Sequence, residues 1–349
     1  MISRKNASIS KFIIHKVGNK FNDTKNAFSD KLVDFDEASY DLMLPFLLRP
    51  FGTVVQSYRF SHHASIALNE INSYSNQIFN DDDAFIETSK HIVTHLYEQS
   101  NSANIKTGDV IVVEFEGIEF RDITTNAIGI FKIENKINFF QTYLENNSYD
   151  VLVQKGISSK KVDKGCLILN QKDEEGPIVF SIDNNNYDAQ YWINHFLNIK
   201  YADDANNHTQ QYIELCKDFA DEIINTSYGK KEQNTFLAKT IDFFKEHETV
   251  NIEEFKEELF EEDKHKREFD NYKKTFEDEQ NIVMRNRFDV AEAVVTKEKR
   301  KIKTDIKLDT NIQIKLDIDA PDASTEYLER GYDDEKKMHY YKVFFNAEN

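Results

Sequence analysis

From Ile302 to Ile318 the even positions are apolar or threonine: Ile302, Thr304, Ile306, Leu308, Thr310, Ile312, Ile314, Leu316 and Ile318. The odd positions are all polar: Lys303, Asp305, Lys307, Asp309, Asn311, Gln313, Lys315 and Asp317. Two is the side-chain period of a β-strand, and a helix cannot gather such a set on one face. The residues "DTN" (309–311) are turn formers, so the stretch predicts two paired strands. A last hairpin follows, with "YDDEKKMH" (332–339) leading into "YYKVFF" (340–345).

Upstream the period changes to that of a helix. In 209–226 Tyr212, Leu215, Cys216, Phe219 and Ile223 fall on one stripe, and in 231–247 Phe236, Leu237, Ile241 and Phe244 do the same. Asn251 and Glu254 form a capping box for a helix over 251–260. A charged helix continues over 264–280, with Glu262 and Lys266 spaced for an ion pair. After it the chain is expected to turn to strands.

The first half reads differently. Strands are predicted over 10–17, 31–35, 108–117, 126–135, 164–171 and 177–183. In 108–117, Ile111, Val113 and Phe115 alternate with Val110, Val112 and Glu114. One amphipathic helix, over 83–99, carries Phe85, Ser89, Ile92, Val93 and Leu96 on a single stripe, with "NDDD" (80–83) as cap and acidic first turn. The expected class is α+β: a mixed, largely antiparallel sheet domain with helices, then a helical segment and C-terminal β-hairpins. The polar stretch 200–208 sets the expected boundary, giving domains 1–203 and 204–349.

At 40% hydrophobic and 13% aromatic the chain is too rich in core formers to be disordered. With 10 Gly and no G-x-x-x-x-G-K or G-x-G-x-x-G, the common phosphate cradles are absent. Cys166 and Cys216 stand far apart, which fits a reducing cytosol. The start of the chain holds only a three-residue apolar run and reads as no signal peptide. The most apolar stretch, 42–51, contains Pro45, Arg49 and Pro50 and falls short of the roughly 20 residues a membrane span needs. A soluble, intracellular protein with no membrane partner is expected.

Against 62 acidic and 44 basic residues, a formal charge of −18, one run is distinctly basic: "VTKEKRKIK" (295–303), with Lys297, Lys299, Arg300, Lys301 and Lys303. These side chains either contact phosphates or form the solvated edge of an amphipathic strand. From Lys303 onward Asp305 and Asp309 share the polar face, so only the approach to the strand is clearly positive. A smaller cluster, Lys160, Lys161 and Lys164, is expected on a loop between strands. No aromatic–basic interleaving of the single-strand-binding kind accompanies either cluster.

Catalytic signatures are lacking. His91 and His95 have helical metal-ligand spacing, but "HIVTH" lacks the glutamate of H-E-x-x-H, and both lie opposite the apolar stripe. His62 and His63 take no role. Glu114 and Glu116 share a strand face without a lysine in the same segment. Cys166 and Cys216 read as core residues, and no G-x-S-x-G elbow is present. No catalytic residue, metal or cofactor is assigned, and a non-enzymatic protein is expected.

In chain order, "FIIHKVGNK" (12–20), "FLAKTIDFFKEHETVNIEEFKEELF" (236–260), "IKLDTNIQIKLDI" (306–318) and "GYDDEKKMHYYKVFFN" (331–346) resemble the bacterial nucleoid-associated protein family. The resemblance implies a two-domain protein found with the nucleoid in the cytoplasm, partnered by double-stranded DNA or by nucleoid proteins. Two routes to the nucleoid stay open. The basic residues make direct DNA contact, or the acidic helices over 253–279 dock a basic, DNA-bound protein. The oligomeric state is left open.

Overall fold

A computed structural model describes residues 2–347 apart from 55, 122, 172–174, 185–190, 281 and 318–325. The chain packs as two compact units, Met1–Ala202 and Asp203–Asn349. The class is α+β, with antiparallel sheets, helices and C-terminal hairpins. Ile318, the end of the alternating stretch, lies outside the described residues.

The first unit contains strands β1 (Ile2–Ser3), β2 (Ser8–Val17), β3 (Tyr58–Phe60), β4 (Gly108–Phe120) and β5 (Ile123–Ile133). They are followed by β6 (Lys136–Glu145), β7 (Ser148–Ile157), β8 (Lys164–Leu169), β9 (Ile178–Asp183) and β10 (Ile199–Tyr201). Its helices are α1 (Glu37–Leu48), α2 (Glu70–Asn80) and α3 (Phe85–Glu98). An eight-stranded sheet runs in the order β1-β4-β5-β8-β9-β3-β10, with β2 also on β4, and the pairings are antiparallel.

Helices cover both faces of this sheet. Val110 and Val112 of β4 join Ile128, Ile130, Cys166 and Ile168 in a core with α2, α3 and Trp192. Ile111, Val113 and Phe115 point the other way, into a core with Phe46 and Leu47 at the end of α1 and Phe51 in the 3-10 turn after it. A strand buried on both sides needs apolar residues at every position, which is why "VIVV" runs unbroken in β4. At the β4 bulge Gly117 takes φ +69°, a backbone conformation that other residues resist. The strand expected over 31–35 does not form. Its backbone gives one bond, from Val33 N to Phe12 O, and Phe35 packs edge-on to Phe12 instead.

β6 and β7 form a separate two-stranded hairpin that the sequence reading missed. Asn146 and Asn147 make its two-residue turn with φ of 50° and 60°, the type I′ geometry that matches strand twist. Along its outer part both faces are exposed.

The second unit holds α4 (Ala205–Phe219), the short α5 (Asn225–Ser227), α6 (Lys230–Glu246), α7 (Ile252–Leu259), α8 (Asp263–Gln280) and α9 (Glu292–Lys299). β11 (Thr249–Asn251) pairs with β12 (Arg287–Asp289), β13 (Asp305–Lys307) with β14 (Gln313–Lys315), and β15 (Leu328–Asp333) with β16 (Met338–Val343). Its core is aromatic, with Phe219 ringed by Phe236, Phe260, Phe269 and Tyr272. Asn251 caps α7 by accepting from Glu253 N at 3.1 Å, and its amide donates to Glu254 at 3.3 Å. Among the described residues no helix is long and apolar enough to cross a membrane.

Candidate nucleic-acid interface

The basic run does not approach its strand as a strand. Residues 292–299 are the helix α9, which packs on α4 and α6 and buries Val294, Val295 and Glu298. The local "EAVVT" favours strand by its β-branched residues, but three buried positions at helical spacing outweigh that propensity. Only Lys297 and Lys299 of the five cations lie on this helix; Arg300 caps it, and Lys301 and Lys303 follow it.

Lys297 and Lys301 flank buried Glu298, and Lys301 pairs with its carboxylate. Lys217 of α4 holds the same carboxylate at 2.8 Å. The two lysines keep the Glu298 carboxyl below the ordinary glutamate range although burial pushes it up. Lys297 and Lys299 are half-buried, whereas Arg300, Lys301 and Lys303 are exposed. Lys299 meets another lysine, Lys245 of α6. That neighbour, together with partial burial, lowers the Lys299 pKa below the ordinary lysine value, while Asp242 and Asp317 act to raise it. Lys245 lies 54 residues upstream of Lys299 in sequence, so no local pattern could have linked them. Its own acidic neighbour Asp242 stands 3.6 Å away. Lys299 and Lys245 are thus brought together, and the exposed Arg300, Lys301 and Lys303 follow α9 along the chain.

The second cluster divides. Lys160 and Lys161 are exposed on the loop between β7 and β8, where Lys161 Nζ donates to Asn184 O at 2.9 Å and Arg49 donates to Lys160 O at 3.1 Å. Lys164 is not on the loop. It opens β8 at 2% exposure, opposite Lys132 of β5, and its Nζ pairs with Asp183 at 2.5 Å. Lys132 is equally buried and pairs with Glu134 at 2.9 Å, and burial holds it below the ordinary lysine value. Two lysines facing each other inside a sheet are tolerable only because carboxylates neutralise them. Lys164 is therefore a structural cation, withdrawn from any external phosphate.

The acid–base candidates resolve similarly. Glu114 finds its lysine from another strand, Lys11 of β2 at 3.2 Å, which also pairs with Asp82. His95 Nε2 lies 3.1 Å from Phe196 O and is half-buried rather than solvated, while His91 rests near the Tyr74 ring at 5.9 Å. Burial pushes both cysteine thiols far above their ordinary range, so neither supplies a thiolate. Lys266 pairs with Glu257 and Asp263, not with Glu262. Along α7 and α8, Lys256 takes Glu253 and Asp270, and Lys273 takes Glu277. The acidic helices thus neutralise much of their own charge.

Cavities open among the described residues of each unit. One of about 780 Å³ lies between α2 and the β8–β9 connection and has no titratable side chain among its described lining residues. One of about 350 Å³ in the second unit is mixed in sign, with Arg285 paired to Asp203, and Asp203 also 2.8 Å from His208 Nε2. Neither offers the uniform positive charge that a polyanion needs.

Comparison with curated proteins gives no match. The family described as nucleoid-associated protein YejK, NA37, matches residues 13–337, from the first long strand β2 to the turn of the last hairpin. That span takes in both units and all the basic residues discussed, and the chain belongs to the YejK family of nucleoid-associated proteins.

Proposed function

We propose that this protein acts at the bacterial nucleoid as a non-enzymatic component, and that it touches duplex DNA through Lys245, Lys299, Arg300 and Lys303. Family membership supports the nucleoid role. The observation that carries direct contact is the crowding of Lys299 against Lys245. Like charges held together at a surface attract a shared counter-ion, and a phosphate supplies one while releasing condensed cations from the duplex. Four such contacts give log affinity a slope of roughly −3 to −4 against log salt.

Titrating the full chain onto duplex DNA across a salt series tests this. Replacing Arg300 and Lys303 with Ala should weaken binding on all sequences alike and reduce the slope by about 2. Lys297→Ala should leave the slope in place. An unchanged slope in the double variant would remove the site assignment. Failure to bind at low salt would sink direct contact and leave the other route, association through a basic protein partner.

A further inference from the structure

The amines of Lys299, at the end of α9, and Lys245, near the end of α6, are hydrogen-bonded to each other. An ammonium carries three donors and no acceptor, so two lysines share a hydrogen bond only when one is a neutral amine with a lone pair. The surroundings decide which. Lys245 is ion-paired with Asp242, three residues earlier on α6, at 3.6 Å, and so keeps the proton. Lys299 meets Lys245 first and partial burial second, and both favour its neutral form against the opposing Asp242 and Asp317.

Other lysines lack one part of this arrangement. Lys132 is also held below the ordinary lysine value but is 1% exposed, beyond the reach of a reagent. Lys297 is lowered chiefly by burial, and its neighbour Lys301 is committed to Glu298. Lys11, Lys90, Lys256 and Lys266 meet carboxylates that hold them charged. Lys299 is only half-buried, and the Lys245 side chain beside it is 36% exposed.

We propose that Lys299 is a modification site, whose neutral amine takes the acyl group of a small acyl phosphate while Lys245 holds the phosphate. The lone pair on Nζ attacks the acyl carbon, and a C–N bond forms. The C–O bond to phosphate breaks, and inorganic phosphate leaves with the electron pair and takes up the surplus amine proton. The Lys245 ammonium beside the reacting nitrogen offsets the phosphate charge, an advantage that an uncharged acyl donor cannot use. The product is a neutral amide, so the basic run loses one cation. Through the DNA contact proposed for this residue, on which this consequence rests, acylation weakens the hold on the duplex.

Brief exposure of the folded full chain to acetyl phosphate, followed by peptide mass spectrometry, gives a rate for each lysine. Lys299 should react roughly 3–10-fold faster than exposed Lys303 in the same molecule. Lys245→Met keeps the apolar stem and removes the amine, and should bring Lys299 down to the Lys303 rate with unchanged circular dichroism. Lys299 no faster than Lys303, or a Lys299 rate unmoved by Lys245→Met, overturns the proposal. The preference for Lys299 should shrink with an uncharged acetyl thioester; an equal preference overturns the role given to phosphate. Lys299→Gln, an uncharged stand-in for the acylated side chain, should reduce the DNA salt slope by about 1. Rapid acylation of Lys299 with no change of slope in Lys299→Gln overturns the DNA contact at this residue and leaves the modification standing.

Discussion

β4–β5 and β6–β7 follow one another along the chain and are both long antiparallel ladders, yet one lies in the most enclosed part of the molecule and the other in solvent. Both contain Val, Ile and Phe. What separates them is the presence of helices: α2 and α3 cover one face of β4–β5, and the end of α1 covers the other. Strand pairing is decided by local register and turn geometry, whereas burial is decided by layers that come from elsewhere in the chain. Apolar strand sequence by itself therefore identifies a surface that wants cover, and the cover need not be intramolecular.

The largest way to test that contrast is to truncate one aromatic ring in each ladder. Phe131 is fully buried between Phe51 and Phe115, at centroid distances of 6.1 and 6.4 Å. Phe131→Ala should cost about 3–5 kcal/mol in urea unfolding. Phe140→Ala, measured in dilute protein, should stay within about 0.5 kcal/mol. Equal losses would break the comparison.

Acid provides a second test, of intermediate size. His15, on β2 at the edge of the buried sheet, accepts from Ser29 N at Nδ1 (3.0 Å) and lies 2.8 Å from Ser89 Oγ at Nε2. Burial, reinforced by the Lys90 charge, holds its pKa down at about 4. Below the ordinary value near 6.5 the unfolded chain takes up a proton that the folded protein refuses. Stability should therefore fall as pH drops from about 6.5 to 4, by about 2–3 kcal/mol in total, and level off beneath. His15→Asn keeps an acceptor for Ser29 N–H and should flatten that part of the profile. An unchanged profile would show that another group titrates. The hairpin has no buried titratable group and should contribute nothing there.

The smallest global effect is expected at the hairpin tip. Asn147→Val places a β-branched residue at positive φ and should cost less than about 1 kcal/mol in global unfolding while abolishing amide protection within 136–157. Loss of protection in β4 or β5 as well would mean that the two ladders are coupled.

Much of the fold could be read from the sequence because periodicity reports on faces. β2, β4, β5, β8, β9, the helices α3, α4, α6, α7 and α8, and the paired strands after Ile302 stand near their expected places. Two failures have physical causes. β6 and β7 escaped because "NFFQTYL" and "DVLV" carry apolar residues on both faces, so no clean alternation marks them. α9 escaped because its valines favour strand and only burial on α4 and α6 makes it a helix. The site was less legible. Lys164 was expected on a loop, and its burial opposite Lys132 depends on carboxylates at Asp183 and Glu134 that sequence cannot place. Lys245 was invisible as a neighbour of Lys299 for the same reason: charge adjacency across elements is a tertiary property.

The two-residue Asn146–Asn147 turn has a consequence in time. A ladder closed by so short a loop has very low contact order, and such hairpins form in about 1–10 μs. The eight-stranded sheet must join segments up to 143 residues apart, Tyr58 and Tyr201, before its layers close. The hairpin can then be complete while the body that carries it is still searching for its own pairings.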